Sequence, residues 1–433
     1  MWSKAWRITK FIFWSFLFLG FALWFGWFNI NSSLGIPEHF RLIQGREQSF
    51  STKWPLKVGL SSDTSGIIQV KKGSEFKITP LRPGESSLDL SLFGVIPLKD
   101  RVISVVPELK VVPGGESIGV MLAAQGLIVA ELARVRDLDG RLVSPAAEAG
   151  VRPGDLLIQI NEVKINDPLD VEAALRKANP SQVTLKIKRS AKYLTIPVKP
   201  AVVPGEQGGY KLRLGIYLED TAAGVGTLSF YHPETGKYAA LGHMITDART
   251  GEKAEITDGR IVPALVAGIR KGIRGQPGEK IGVFQDRAAS LGVISENSPI
   301  GIFGVLEEIP KKEKAIPLAM AHEVEPGPAQ ILTVIENDTV ESFEIEIIKV
   351  NRQSEPSGKG MVIEVKDPRL LEVTGGIVQG MSGSPIIQKG KLVGVVTHVF
   401  VNDPTKGYGV YAEWMASEAG IFSDLVKNLE PAA

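Results

Sequence analysis

Ser382 stands in Gly380-Met381-Ser382-Gly383-Ser384-Pro385, a run whose small residues let the backbone turn tightly. A serine in such a turn can act as a nucleophile. The N–H groups of Gly380 and Ser382 can then converge on one point and stabilise the oxyanion of a tetrahedral intermediate. Ser384 is the rival hydroxyl in the same run. Either needs a base, and the chain has five histidines: His39, His232, His243, His322 and His398. His243 ends the apolar run Ala239-Ala240-Leu241-Gly242 and lies 139 residues before Ser382. His398, in Thr397-His398-Val399, follows the serine by 16 residues and competes for the same role. His232 sits in a Tyr-His-Pro turn, His322 lies in no recognisable motif, and His39 is close to the expected membrane segment. The orienting acid is open among Asp247, Asp258, Asp286, Asp338 and Asp367. Asp367 precedes Pro368, a pair that ordinarily marks a turn.

Composition narrows the chemistry. The 433 residues contain no cysteine, which removes disulfides, thiolate catalysis and cysteine-based metal centres. No histidine pair has metal-ligand helical spacing, so no metal is expected. Lys and Arg number 49 against 48 Asp and Glu, a net charge of +1 that gives no basic footprint for nucleic acid. At 44% hydrophobic and 22% charged, the chain has ample material for several packed domains.

The elements that must position these residues fall into four segments. In residues 1–30, the stretch 11–28 is uncharged and rich in Phe, Trp and Leu, and Lys4, Arg7 and Lys10 precede it. It is long enough to span a bilayer core as a helix, and the positive-inside bias puts the remaining ~400 residues outside the cytoplasm. Residues 31–112 read as short strands, among them 66–70, 87–93 and 102–106, forming a small β-rich spacer. Residues 113–200 contain Ser144-Pro145-Ala146-Ala147-Glu148-Ala149-Gly150-Val151-Arg152-Pro153-Gly154-Asp155, followed by the apolar run 156–160. Pro145 opens a short helix, Gly150 closes it, and Pro153-Gly154 turns into a buried strand. This helix–turn–strand resembles the core of a PDZ domain, an α+β fold. The resemblance implies that a peptide adds as a strand beside an exposed sheet edge. It places the carboxylate-binding loop at Ser117, Ile118, Gly119 and Val120. Residues 201–433 alternate apolar and polar residues between glycine-rich turns, as in an all-β barrel or sandwich with a short helical tail at 413–428.

The run 380–385 with its following hairpin resembles the nucleophile loop of chymotrypsin-like serine peptidases. The fold expected is therefore mainly β: a transmembrane helix, a small β-rich segment, a PDZ domain and a chymotrypsin-like β-barrel peptidase domain. The whole order resembles the stage IV sporulation protein B peptidases of endospore-forming Firmicutes. The matching residues are Leu241-Gly242-His243-Met244, Gly375-Gly376-Ile377-Val378-Gln379-Gly380-Met381-Ser382-Gly383-Ser384-Pro385 and Thr397-His398-Val399-Phe400-Val401-Asn402-Asp403-Pro404. The resemblance implies Ser382 as nucleophile, His243 as base and Asp367 as acid, and it implies no cofactor. That acid departs from the usual chymotrypsin-like spacing, in which it lies well before the nucleophile loop. The resemblance further implies a forespore-membrane protein facing the intermembrane space. It would cut itself in trans and be released, then cut the regulatory subunit of an intramembrane metalloprotease complex, which activates a sigma factor. Residues 44–57 are polar and suit self-cleavage, with a product starting between about residues 40 and 60. Two other classes compete: a non-catalytic PDZ scaffold with an inactive peptidase-like domain, and a quality-control protease, in which the peptidase domain would precede the PDZ domain.

Overall fold

The computed structural model describes Trp14 and residues 38–427, apart from 51–55, 61–65, 72–75, 94, 99, 124–125, 166–167, 190–191, 206–208, 220–222, 247–250, 255–257, 285–289, 311–313 and 354. The expected membrane anchor therefore lies outside the described residues except for Trp14. Among the described residues no helix is long and apolar enough to cross a membrane.

Two six-stranded antiparallel barrels dominate the chain. The first runs Ser117–Ala123, Asp258–Arg270, Gly292–Ser298, Gly301–Leu306, Lys237–Ala240 and Ala223–Tyr231, and the last strand pairs back onto the first. The second closes Gly327–Val334, Val340–Val350, Met361–Val365, Asp403–Tyr411, Lys391–Phe400 and Pro385–Gln388. Period-two patterning drives both. In Val340–Val350, Phe343, Ile345 and Ile347 alternate into the core while Glu344 and Glu346 face out. Truncating one such Ile to Ala would cost roughly 2–5 kcal/mol. Helices Ala412–Glu418 and Ile421–Lys427 form the expected tail, and Trp414, Met415 and Phe422 pack onto the second barrel's core.

The PDZ fold is inserted into the first barrel. Its sheet runs Lys192–Val198, Val183–Arg189, Leu156–Ile160, Leu127–Leu132 and Ile216–Glu219, with helices Pro145–Glu148 and Pro168–Arg176. The chain leaves the barrel after Ala123, builds the PDZ fold over 127–219, and re-enters at Ala223 on the neighbouring strand. The expected PDZ bounds, residues 113 and 200, are therefore corrected at both ends: Ser117–Ala123 already belongs to the peptidase barrel, and Ile216–Glu219 still belongs to the PDZ sheet.

The expected PDZ carboxylate-binding loop needs the same correction. Ser117, Ile118, Gly119 and Val120 form a barrel strand hydrogen-bonded to Ala223–Tyr231 on one side and Asp258–Arg270 on the other. With both edges filled, no peptide can add there. Gly119 is a packing glycine, because a Cβ would lie 2.4 Å from the Phe284 ring. Among the described residues the edge strand beside Leu127–Leu132 is Ile216–Glu219, entered through Leu214-Gly215 with Gly215 at φ +68°. The same apolar-Gly-apolar signal occurs in both places, and only the topology tells them apart.

The spacer at 31–112 is docked rather than free. The strand His39–Ile43 pairs with Arg101–Val106, and Arg41 donates to the buried Glu413 at 3.2 Å and to Ser417 Oγ at 2.8 Å. Arg41 also lies over the Phe422 ring at 4.8 Å. Ile43, Val106, Leu109 and Val111 share one core with the second barrel. Of the stretch expected to be cut, residues 44–57, Gln48–Phe50 is a strand paired with Phe76–Pro80 and Leu56 opens another strand, so only part of it can be linker.

Candidate active site

The serine loop is carried by the second barrel and strapped to the first. Asp367 caps the helix Pro368–Thr374, accepting from Leu370 N–H at 3.0 Å, and Gly375 ends that helix in the left-handed conformation. The chain then reaches Ser382 and enters the strand Pro385–Gln388. Thr227 of the first barrel donates its N–H to Ser382 O at 3.0 Å and its hydroxyl to Gly380 O at 2.8 Å. Gly383 N–H donates to Val396 O at 2.8 Å. Gly383 has φ +104°, and a Cβ there would lie 2.1 Å from Thr227 O, so this approach of the two barrels requires glycine.

Donors alternate along the loop. Gln379, Met381, Gly383 and Ser384 spend their N–H groups on backbone carbonyls. Gly380 and Ser382 donate to no acceptor among the described residues. Two unspent N–H groups flanking one residue are what an oxyanion hole needs.

Ser382 is half-buried and its hydroxyl donates to Thr397 O at 2.6 Å. Ser384 is fully buried and its hydroxyl has no partner among the described residues, so it is not presented to a substrate. Thr397 is fixed by hydrogen bonds from its own hydroxyl to Gly358 O at 2.9 Å and Tyr408 O at 3.2 Å.

His243 follows Leu241 and Gly242, both at positive φ (68° and 72°), a turn that directs the ring toward the strand Lys391–Phe400. Gly242 fits because a Cβ there would sit 2.9 Å from Thr397 Cγ2. The His243 and His398 rings lie 5.1 Å apart, centroid to centroid. His243 Nδ1 is 2.8 Å from Met244 O. A carbonyl only accepts, so the proton resides on Nδ1 and Nε2 keeps its lone pair, the state a general base requires. Burial lowers the His243 pKa below the ordinary histidine value, and the Met244 bond partly offsets this. His398, the more exposed ring, is lowered by burial and then by the charge of His243.

The structure brings His243, His398, Thr397 and the serine loop together, and it does not bring Asp367 to them. Asp367 stands at the helix start on the outer wall of the second barrel, where it also accepts from Glu344 N–H at 3.5 Å. Among the described residues no carboxylate acts on the His243 pKa. Asn297 is a positioning group that the sequence did not reveal. This fully enclosed amide accepts from Ile245 N–H at 2.9 Å and donates to Ile245 O at 2.9 Å and Ala254 O at 3.1 Å. It pins the segment just after His243, and its only signal is a polar residue inside an apolar strand pair.

Comparison with known proteins finds two family matches. Residues 210–416 match the family described as SpoIVB peptidase S55, and residues 142–189 match the PDZ domain. A Brucella suis biovar 1 protein named as a zinc metalloprotease is 29% identical over 115 residues, 25% of this chain and 30% of its own length. A Bartonella henselae protein named as a DegP-like periplasmic serine endoprotease is 37% identical over 67 residues, 15% of this chain and 13% of its own. The chain thus spans less than a third of either relative. The active form of the Rv3671c protease from M. tuberculosis overlaps 46% of this chain and 74% of its own at 15% identity and a TM-score of 0.29. The S55 match begins inside the PDZ fold and runs through both histidines and the serine loop, and the PDZ match falls on the inserted sheet. Residues 210–416 are therefore a serine peptidase domain matching the SpoIVB S55 family, and a PDZ domain is inserted in the first barrel.

Proposed function

We propose that the chain is a self-cleaving signalling endopeptidase in which Ser382 is the nucleophile and His243 the base. The observation that carries this is the seating of Ser382 between the barrels, on the carbonyl of Thr397, whose neighbour His398 faces the His243 ring. Rotation of the Ser382 side chain off Thr397 O turns its hydroxyl toward His243 Nε2. His243 takes the proton as Oγ attacks the scissile carbonyl, and the N–H groups of Gly380 and Ser382 receive the oxyanion. The protonated ring then delivers its proton to the leaving amine, and water repeats the sequence on the acyl-enzyme. The pairing of Lys391–Phe400 with Asp403–Tyr411 skips Thr397 and His398, which leaves backbone there to align an extended substrate.

Asp367 serves this machinery through the helix it caps. Its carboxylate fixes the start of Pro368–Thr374, which leads into the serine loop. Peptide recognition falls to the free edge Ile216–Glu219 of the PDZ sheet. The substrates are a second copy of the chain and a membrane-associated regulatory protein whose cleavage releases sigma-factor processing during sporulation. The setting is the forespore membrane, with the bulk of the chain in the intermembrane space. Processing of the sigma factor in cells carrying Ser382→Ala tests this. Normal processing there would exclude the role.

A further inference from the structure

Lys280 is a buried cation that the mechanism above does not use. It lies on the strand Glu279–Phe284, is 5% exposed, and has no carboxylate partner among the described residues. Its Nζ donates to Thr333 Oγ1 at 2.9 Å and to Ser117 Oγ at 3.3 Å. Ser117 belongs to the first barrel and Thr333 to the second, so one ammonium ties the barrels together. Lys280 N–H donates to Gln379 O at 2.9 Å. A Cβ placed on Gly380 would lie 3.0–3.2 Å from Lys280 Cβ, Cγ and Cδ, so the stem is the wall behind Gly380. Nζ sits only two bonds beyond Cδ. The register partner of Ser117 is Thr227, whose hydroxyl holds Gly380 O.

We infer that Lys280 is a positioning residue for the serine loop, with its stem backing Gly380 and its ammonium charge lying behind the oxyanion hole. A buried positive charge at this place favours the negative charge that develops on the substrate oxygen, in a setting where water screens it little. Burial brings this lysine to a pKa of about 7, so its charge is titratable near neutrality. The charged groups on the surrounding elements are Glu116 beside Ser117, Glu279 ion-paired with Arg270, and Glu341 opposite Thr333 and ion-paired with Arg369. Burial alone accounts for the shift, and none of these groups contributes to it.

The inference rests on the peptidase reading, and its test separates the two. The readout is kcat/KM against pH on a peptide substrate for wild type, Lys280→Met and Thr333→Val. Wild type should lose activity on the alkaline side of about pH 7 as the ammonium deprotonates. Lys280→Met should lower kcat by about 10–100-fold at pH 6 with KM little changed, and should lack the alkaline limb. Thr333→Val removes one acceptor of the ammonium, so the limb should move to lower pH. A merely structural lysine would lower activity without changing the shape of the profile. An alkaline limb retained in Lys280→Met overturns the inference. Should Lys280→Met fail to fold, an unmoved limb in Thr333→Val overturns it. Peptide turnover by Ser382→Ala equal to that of wild type would instead overturn the peptidase reading.

Discussion

The N–H of Thr227 donates to the carbonyl of Ser382 at 3.0 Å, so the first barrel holds the residue that the second barrel carries. Thr227 stands on the strand by which the chain returns from the PDZ insertion, four residues past Ala223. Ser117, its register partner, stands on the strand by which the chain departs. The two strands flanking the PDZ domain therefore end at the serine loop, one directly and the other through Lys280.

Asp367 divides two accounts of the acid. A cap accepts Asn nearly as well as Asp, whereas an ionised acid paired to a catalytic histidine does not. Asp367→Asn should keep activity within about threefold of wild type. Asp367→Ala should lose about 1 kcal/mol of stability, with partial loss of activity as the loop loosens. Steady-state kinetics and denaturant melts on both variants check this. Inactivity of folded Asp367→Asn would restore the carboxylate to the triad.

His243 must be neutral to accept a proton, and burial lowers its pKa. Activity should therefore fall as pH drops, with the midpoint of this limb below the ordinary ~6.5 of histidine. His398→Ala removes a ring packed 5.1 Å from His243 and so lessens the burial that lowers the His243 pKa. It should retain turnover and move the acid limb upward. The pH profile of kcat/KM for the two forms is the check.

The same lysine that backs Gly380 makes stability depend on pH. Its folded pKa of about 7 lies below its ordinary 10.5. Between these values the unfolded chain holds a proton that the folded chain has released, so stability rises with pH, by up to ~1.4 kcal/mol per unit. Below about pH 7 both states hold the proton and this contribution is flat. Denaturant melts from pH 6 to 10 should show wild type gaining on Lys280→Met by this slope. Parallel curves would mean that the lysine does not titrate there.

Self-cleavage should be bimolecular. The serine lies more than 300 residues from 44–57, and the spacer containing that stretch is docked on the second barrel through Arg41, Glu413 and Phe422. In the proposed membrane setting, confinement to one membrane would raise the local concentration of neighbours. Active enzyme should process intact Ser382→Ala chains at a rate that scales with concentration. N-terminal sequencing should place the product start between about residues 40 and 60. A start inside the PDZ fold, or dilution-independent release, would contradict the trans route.

The local chemistry was legible in the sequence where one short run carries it. The serine loop and the helix–turn–strand at 144–160 need small residues, Pro and Gly at fixed offsets, and these survive in one dimension. The strand patterns at 66–70, 87–93 and 102–106 fall on Ile68–Lys71, Gly84–Leu92 and Arg101–Val106, because alternation follows from a half-buried sheet. The insertion was not legible. Ser117–Ala123 and Ile216–Glu219 are both short apolar strands near a glycine, and nothing local says that the first closes a barrel while the second forms a PDZ edge. Long-range pairing decides that. Asn297 and Lys280 were invisible for the same reason, since their partners lie 43–163 residues away.

The most direct test of the account is covalent labelling by a serine-directed phosphonate, with the labelled peptide sequenced. Wild type should carry the label on Ser382. Ser382→Ala and His243→Ala should each lose labelling and peptide turnover by about 10⁴-fold or more, to similar residual levels because the two act as a unit. His398→Ala should still label. Full labelling of folded His243→Ala, or a label on a residue other than Ser382, would contradict it.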